Sequence, residues 1–272
     1  MKDVAYLNRP NRPLHLYALI YLTFLYIPVL FLPLFSFNDS LFVAFPLKGF
    51  TLSWYEQMLT NEPMHAALMN SLKVGSVSAV IATILGIFGA KAVTKYRIRG
   101  ERPVVAVIML PLVIPGIILG VALLIMFSRL GVPLSLHTVT LGHILISVPF
   151  AMATLMARFE GFDKSMEEAA ADLGDNVWWT FWRVTFPMVF PGVLASALLC
   201  FTISFDEFIM AFFLAGTEPT LPIFIYSQLR FPQKLPGVLA LGACILVASI
   251  FVVFLSQWLR RRGDRGVPDG GI

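Results

Sequence analysis

Two adjacent carboxylates sit inside an otherwise apolar run, Phe201-Thr202-Ile203-Ser204-Phe205-Asp206-Glu207-Phe208-Ile209. A carboxylate facing hydrocarbon is costly, so at least one of Asp206 and Glu207 must face a cavity or a basic partner. Successive helix positions point about 100° apart. Both can therefore reach one wide cavity, or one can line a pathway while the other packs at an interface. Two roles follow. The pair is structural, satisfied by arginine or backbone groups, or it attracts a cation, with the rings of Phe205 and Phe208 adding cation–π contact. A site for an anion would more naturally offer helix N-termini or an arginine at that depth, and the run holds no arginine.

Other chemistry is poorly supplied. His15, His65, His137 and His143 are dispersed, with no metal-ligand or triad spacing, which argues against an enzyme. No G-x-x-x-x-G-K-[ST] loop is present, so this chain is expected to bind no ATP and to need no cofactor. Cys200 and Cys244 lie in apolar spans and read as small hydrophobes rather than a disulfide pair.

A second cluster is acidic and rich in alanine: Glu167-Glu168-Ala169-Ala170-Ala171-Asp172-Leu173-Gly174. Strong helix formers without proline predict a short helix over about 163–173. Asp163 or Ser165 can cap its start, acids favour its first turns, and Gly174 can close its end. Four aromatics follow in Trp178-Trp179-Thr180-Phe181-Trp182, then Phe186-Pro187. Either this is an amphipathic helix on a membrane surface, or the aromatics brace the short helix while its other face docks on a soluble partner. Small Ala169 and Ala170 would permit that close approach.

The elements that position these residues follow from composition. The chain has 272 residues, 58% hydrophobic and 13% charged, with a mean hydropathy of +0.80. Soluble domains carry about 25% charged residues, so an all-α integral membrane protein is expected. Six windows are apolar enough to span: about 16–37, 66–91, 103–127, 137–157, 188–214 and 237–259. The first reads as a retained helix rather than a cleaved signal. Pro111, Pro115-Gly116 and Pro149 interrupt the third and fourth and predict kinks or ordinary tolerance.

Fifteen Lys and Arg residues flank one set of span ends: Lys2, Arg9, Arg12, Lys91, Lys95, Arg97, Arg99, Arg102, Arg158, Lys164, Arg183, Arg260, Arg261, Arg262 and Arg265. The other set holds five: Lys48, Lys73, Arg129, Arg230 and Lys234. This excess predicts that both termini and the acidic-alanine loop are cytoplasmic, with an even number of spans. Basic residues at helix ends imply no nucleic-acid partner. On the outer side, 38–65 contains Thr51-Leu52-Ser53-Trp54-Tyr55, which predicts a short helix capped by Thr51 or Ser53. Trp54 is either an interfacial anchor or part of the solute path. A second outer segment, 215–236, could dip back into the membrane.

The pattern Glu168-Ala169-Ala170, three residues, Gly174, then Pro187 resembles the EAA loop of ABC importer permeases. The resemblance implies a type I permease core over 62–258. Residues 1–61 would be an N-terminal tail, extra helix and outer loop, and 259–272 a cytoplasmic tail. It also implies that Glu168, Ala169, Ala170, Gly174 and Pro187 belong to a coupling loop on a separate ATP-binding subunit, present in two copies. A second permease subunit, a periplasmic solute-binding protein, membrane lipid and the bacterial inner membrane complete the implied setting. Ser204-Phe205-Asp206-Glu207-Phe208, Phe213-Leu214-Ala215-Gly216 and Leu221-Pro222-Ile223-Phe224-Ile225-Tyr226-Ser227 resemble the spermidine/putrescine permeases with a short N-terminus. That implies a polyamine path through Ser204, Asp206 and Glu207, with Trp54 at its outer end. Permeases for aminophosphonate or ferric iron share parts of this pattern. An ion-coupled secondary transporter would leave the acidic-alanine loop unexplained.

Overall fold

The computed structural model describes residues 12–95, 100–163 and 165–264, with backbone alone at 12, 252, 253 and 255–264. Lys2, Arg9, Arg97, Arg99, Lys164 and Arg265 of the charge argument lie outside the described residues. Among those described there is no strand, only an isolated bridge between Asn38 and Phe50. The helices are α1 (Arg12–Ser36), α2 (Ser53–Leu59), α3 (Glu62–Thr94), α4 (Glu101–Val113), α5 (Gly116–Arg129), α6 (Leu136–Glu160), α7 (Ser165–Asp172), α8 (Val177–Thr180), α9 (Phe186–Asp206), α10 (Ile209–Leu214), α11 (Leu221–Leu229) and α12 (Leu235–Asp264). A π-helical turn, Phe181–Thr185, joins α8 to α9, and a 3₁₀ turn, Pro232–Lys234, precedes α12.

Five helical stretches are long and apolar enough to cross a membrane, and a sixth arises if α4 and α5 count as one bent span. The expected third span is that bent pair, turned by 101°. The cause is local. Ile114 precedes Pro115 and is driven to an extended conformation, ψ 127°, because the proline ring disfavours the helical region for its predecessor. Pro149, by contrast, is absorbed within a continuous α6.

The chain divides into two compact units. One comprises Met1–Asn61 with Ser227–Ile272. In it α1 packs along α12, with Leu32 Cδ2 3.5 Å from where a Cβ on Gly242 would stand. Most α1 side chains remain exposed, Phe24 at 79% and Tyr17 at 67%. A helix apolar all round whose side chains are mostly uncovered by protein is suited to lipid. The segment after α1 is pinned at Asn38, whose Oδ1 accepts from the Lys48 N–H at 2.9 Å. Ser36 and Tyr55 share a 2.6 Å hydrogen bond. The N-cap of α2 is Leu52, with no side-chain cap, so neither Thr51 nor Ser53 caps it as expected; the Ser53 N–H instead donates to Thr51 Oγ1 at 3.1 Å in a local turn before the helix.

The other unit is Glu62–Tyr226. Its core is α3 packed on α6 and α9, with Ala79, Ala82, Ala151 and Cys200 at the crossing. Small residues let the backbones approach, since apolar lipid supplies no hydrophobic drive between helices. Gly86 marks a close backbone approach of α3 to α6. A Cβ there would lie 2.7 Å from Ala151 Cβ and 3.0 Å from the Ala151 backbone carbon. Gly86→Leu should therefore force α3 from α6 and cost about 1–3 kcal/mol, read as a clear fall in melting temperature in mild detergent. Gly237→Leu, at a position with nothing within 4 Å, should leave the melting temperature of the isolated chain unchanged.

Candidate functional site

The short acidic helix forms as expected, slightly shorter than 163–173. Asp163 Oδ1 accepts from the Ser165 N–H at 3.0 Å, and the Ser165 backbone and side-chain hydrogen bonds hold the Asp163 carboxyl below its ordinary value. At the other end Gly174 adopts φ +91°. Its N–H donates to Ala171 O at 2.9 Å and the Asp175 N–H to Ala170 O at 3.1 Å. These two bonds make a Schellman cap, and a left-handed residue at that position favours glycine.

The faces of α7 differ from the sequence expectation at one residue. Ala169 is outward, but Ala170 is turned inward and 8% exposed. Of the two expected alanines, Ala169 alone faces outward for close approach by another molecule. Glu168 is exposed and has no partner among the described residues. Leu173 stands 90% exposed beside the cap. A hollow next to α7 is lined by Lys95, Glu167, Glu168, Ala171, Asp175, Val177 and Thr180.

Glu167, one step from Glu168, points the other way, as a 100° step requires. Its Oε1 accepts from Thr185 Oγ1 at 2.5 Å and its Oε2 is ion-paired with Lys95 Nζ. Burial pushes the Glu167 carboxyl up, but the hydrogen bonds from Lys95 and Thr185, with the charges of Lys95 and Lys91, outweigh it and hold the carboxyl below its ordinary value. It is therefore ionised at neutral pH. Lys91 Nζ lies 4.2 Å from the Phe181 ring centroid. Arg183 donates to Asp175 Oδ1 at 3.1 Å and lies 4.9 Å over the Trp179 ring. The aromatics thus brace the segment that follows α7, with Trp178, Trp182, Phe186 and Phe190 in successive ring contact.

Pro187 is the second residue of α9, directly after the π turn. Proline has no N–H and its ring crowds the carbonyl four residues back. The ladder widens there, with the Phe186 N–H donating to Phe181 O, and π turns of this kind relieve such a mismatch.

The carboxylates sit elsewhere than mid-helix. The expected span 188–214 is broken: α9 ends at Asp206, Glu207 is extended with ψ 111°, and α10 starts at Ile209. Glu207 Oε1 accepts from the Ile209 N–H at 2.9 Å and the Met210 N–H at 3.2 Å. A carboxylate is the natural acceptor for these otherwise orphaned donors at a helix start. Asp206 is exposed, with no hydrogen-bond or ion-pair partner among the described residues. Ser204 is buried and bonded to His143 Nδ1 at 2.7 Å. His143 Nε2 is buried without a partner. Sequence reading missed the His143–Ser204 pair, because 61 residues separate them. Thr138 Oγ1 donates to Leu214 O at 2.8 Å, so α6 holds both sides of the break. Trp54 lies in the other unit, half-buried, and its Nε1 donates to Asn38 O at 3.0 Å.

Residues 82–265 match the family described as "Binding-protein-dependent transport system inner membrane component", and the chain belongs to that family. It is thus the permease subunit of an ABC importer. It is 34% identical over 244 residues to the spermidine/putrescine transport system permease protein PotC of Escherichia coli (strain K12), covering 89% of this chain and 92% of that protein. It is 34% identical over 251 residues to the putrescine transport system permease protein PotI of the same strain, covering 89% of each. A crystal structure of a bacterial ABC transporter involved in the import of the acidic polysaccharide alginate contains a chain of the same fold. The TM-score is 0.69 at 18% identity, covering 93% of this chain and 98% of that one.

Proposed function

We propose that this permease moves a polyamine across the bacterial inner membrane, driven by ATP hydrolysis on a separate subunit docked at α7. The observation that carries the docking half is Glu168, exposed and without a partner among the described residues, with Ala169 and Leu173 on a helix capped at both ends. A helix lying in a groove uses such a face. Two copies of the ATP-binding subunit, a second permease and a periplasmic solute-binding protein complete the complex. The polyamine half rests on the similarity to PotC and PotI and on Asp206 and Glu207 at a break between helices. Ser204 and Trp54 remain candidates along the path. The family match over 82–265 supports a permease core over 62–258, preceded by a tail, first helix and outer loop over 1–61 and followed by a tail over 259–272. The experiment is uptake of labelled spermidine or putrescine into vesicles holding the reconstituted complex and ATP. ATP-dependent accumulation is expected, and none with either amine would overturn the polyamine reading.

Six spans with both termini in the cytoplasm fit the same picture. Two opposite ends of the larger unit support the alternation. Lys95 meets α7 at one end of α3, while at its other end Asn70 Nδ2 donates to Pro219 O at 3.1 Å. A reporter active only in the periplasm should be silent when fused after Ile272 and active within 38–65. The reverse pattern would overturn the orientation.

A further inference from the structure

We propose that Glu167, Lys95 and Thr185 are the positioning residues that tie α7 to the cytoplasmic ends of α3 and α9, so that all three move together. The inference rests on the reading of α7 as the docking helix. Alone, α7 is poorly held: it has eight residues, and Ala170 is its one buried side chain among those described. The bonds at Asp163 and Gly174 close its two ends locally but do not tie it to another helix. What fixes it laterally is one carboxylate used at both oxygens. Oε2 takes Lys95 just beyond the end of α3, and Oε1 takes buried Thr185 in the π turn that leads into α9. The Glu167 side chain is only 11% exposed, so removing either partner leaves a charge in a half-dry site, where loss of a partner matters far more than on an open surface.

The tie matters because of what lies along the two rods. Helix α3 has 33 residues, about 50 Å at 1.5 Å per residue. Near its outer end Ser71 Oγ accepts from the Leu221 N–H at 2.8 Å, and Asn70 holds Pro219. Helix α9 ends at Asp206 beside the break. A displacement of α7 imposed by the ATP-binding subunit is thereby delivered to the outer segment 217–221 and to the carboxylates. Such rigid-body transmission needs a stiff link at the driven end.

The test uses the assembled complex with Thr217→Cys, an exposed position, and a membrane-impermeant thiol reagent. Trapping the complex with ATP and vanadate should change the labelling rate at residue 217 at least fivefold. Glu167→Gln and Lys95→Met should abolish that change while the ATP-binding subunit stays bound and basal hydrolysis persists. Lys95→Arg, which keeps the charge, should retain it, and the swap Lys95→Glu with Glu167→Lys should restore at least half. A full labelling change in both single variants would overturn the tie. So would loss of the ATP-binding subunit in Glu167→Gln, which would make Glu167 a docking residue instead. If the unsubstituted chain fails to retain the ATP-binding subunit at all, it is the docking reading that fails, visibly apart from the tie.

Discussion

Asp206→Asn should cut uptake of a di- or triamine roughly tenfold with the number of assembled complexes unchanged, whereas Glu207→Ala should lose the complex itself. The two carboxylates are adjacent but differently engaged. Asp206 is exposed and without a partner among the described residues, so the amide keeps shape and removes only charge. Weakening attraction for a passing cation by about 1.4 kcal/mol is a factor of ten. Glu207 accepts two backbone N–H groups at the start of α10. Deleting such an acceptor costs about 0.5–2 kcal/mol in water-exposed helices, and unsatisfied backbone groups are more costly within a membrane. Glu207→Gln retains an acceptor and separates the two effects. If it assembles and transports normally, Glu207 is structural and Asp206 alone bears the cation reading. Normal polyamine uptake by Asp206→Asn, at equal complex count, would remove that reading too. Both measurements are vesicle uptake of labelled putrescine or spermidine beside a quantified complex band.

The break that gives these residues different roles had almost no trace in the sequence. Residues 201–214 contain no proline or glycine, and local propensity favours an unbroken helix. The acidic pair was the one available signal, because a carboxylate can terminate and restart a helix as well as line a path. The bend at Ile114 was more legible, since Pro115-Gly116 both restricts the preceding residue and frees the next. Pro149 shows that proline alone does not decide: in α6 it is buried in a packed helix that runs on regardless.

The apolar windows, the short acidic helix and its glycine cap were readable because each depends on neighbours in sequence. The inward turn of Ala170 was not. A 100° step tells which residues part company, but only packing tells which of them faces in. The same limit hid Glu167, whose partners Lys95 and Thr185 lie 72 and 18 residues away. Glu168 drew attention through its motif, while its neighbour makes the contacts within the chain.

Gly174→Val should reduce retention of the ATP-binding subunit about tenfold while the permease still inserts in the membrane. The residue sits at φ +91°. A side chain in the left-handed region costs about 1–2 kcal/mol, and a β-branched one fits worst. Relief comes by rotating out of that region, which breaks the bonds from Gly174 to Ala171 and from Asp175 to Ala170. Asp175 then moves from Arg183, and the hollow beside Glu168 changes shape. Packing within the chain is not the cause, because a Cβ at 174 meets nothing within 4 Å. Gly174→Asn separates these effects: asparagine tolerates the left-handed conformation, so it should keep most of the retention. Solute-stimulated ATP hydrolysis in vesicles should follow the same order, with Asn well above Val. Unchanged retention and stimulation in Gly174→Val would mean that the α7 cap does not shape the docking face, and the coupling assignment of Glu168 through Gly174 would fall with it.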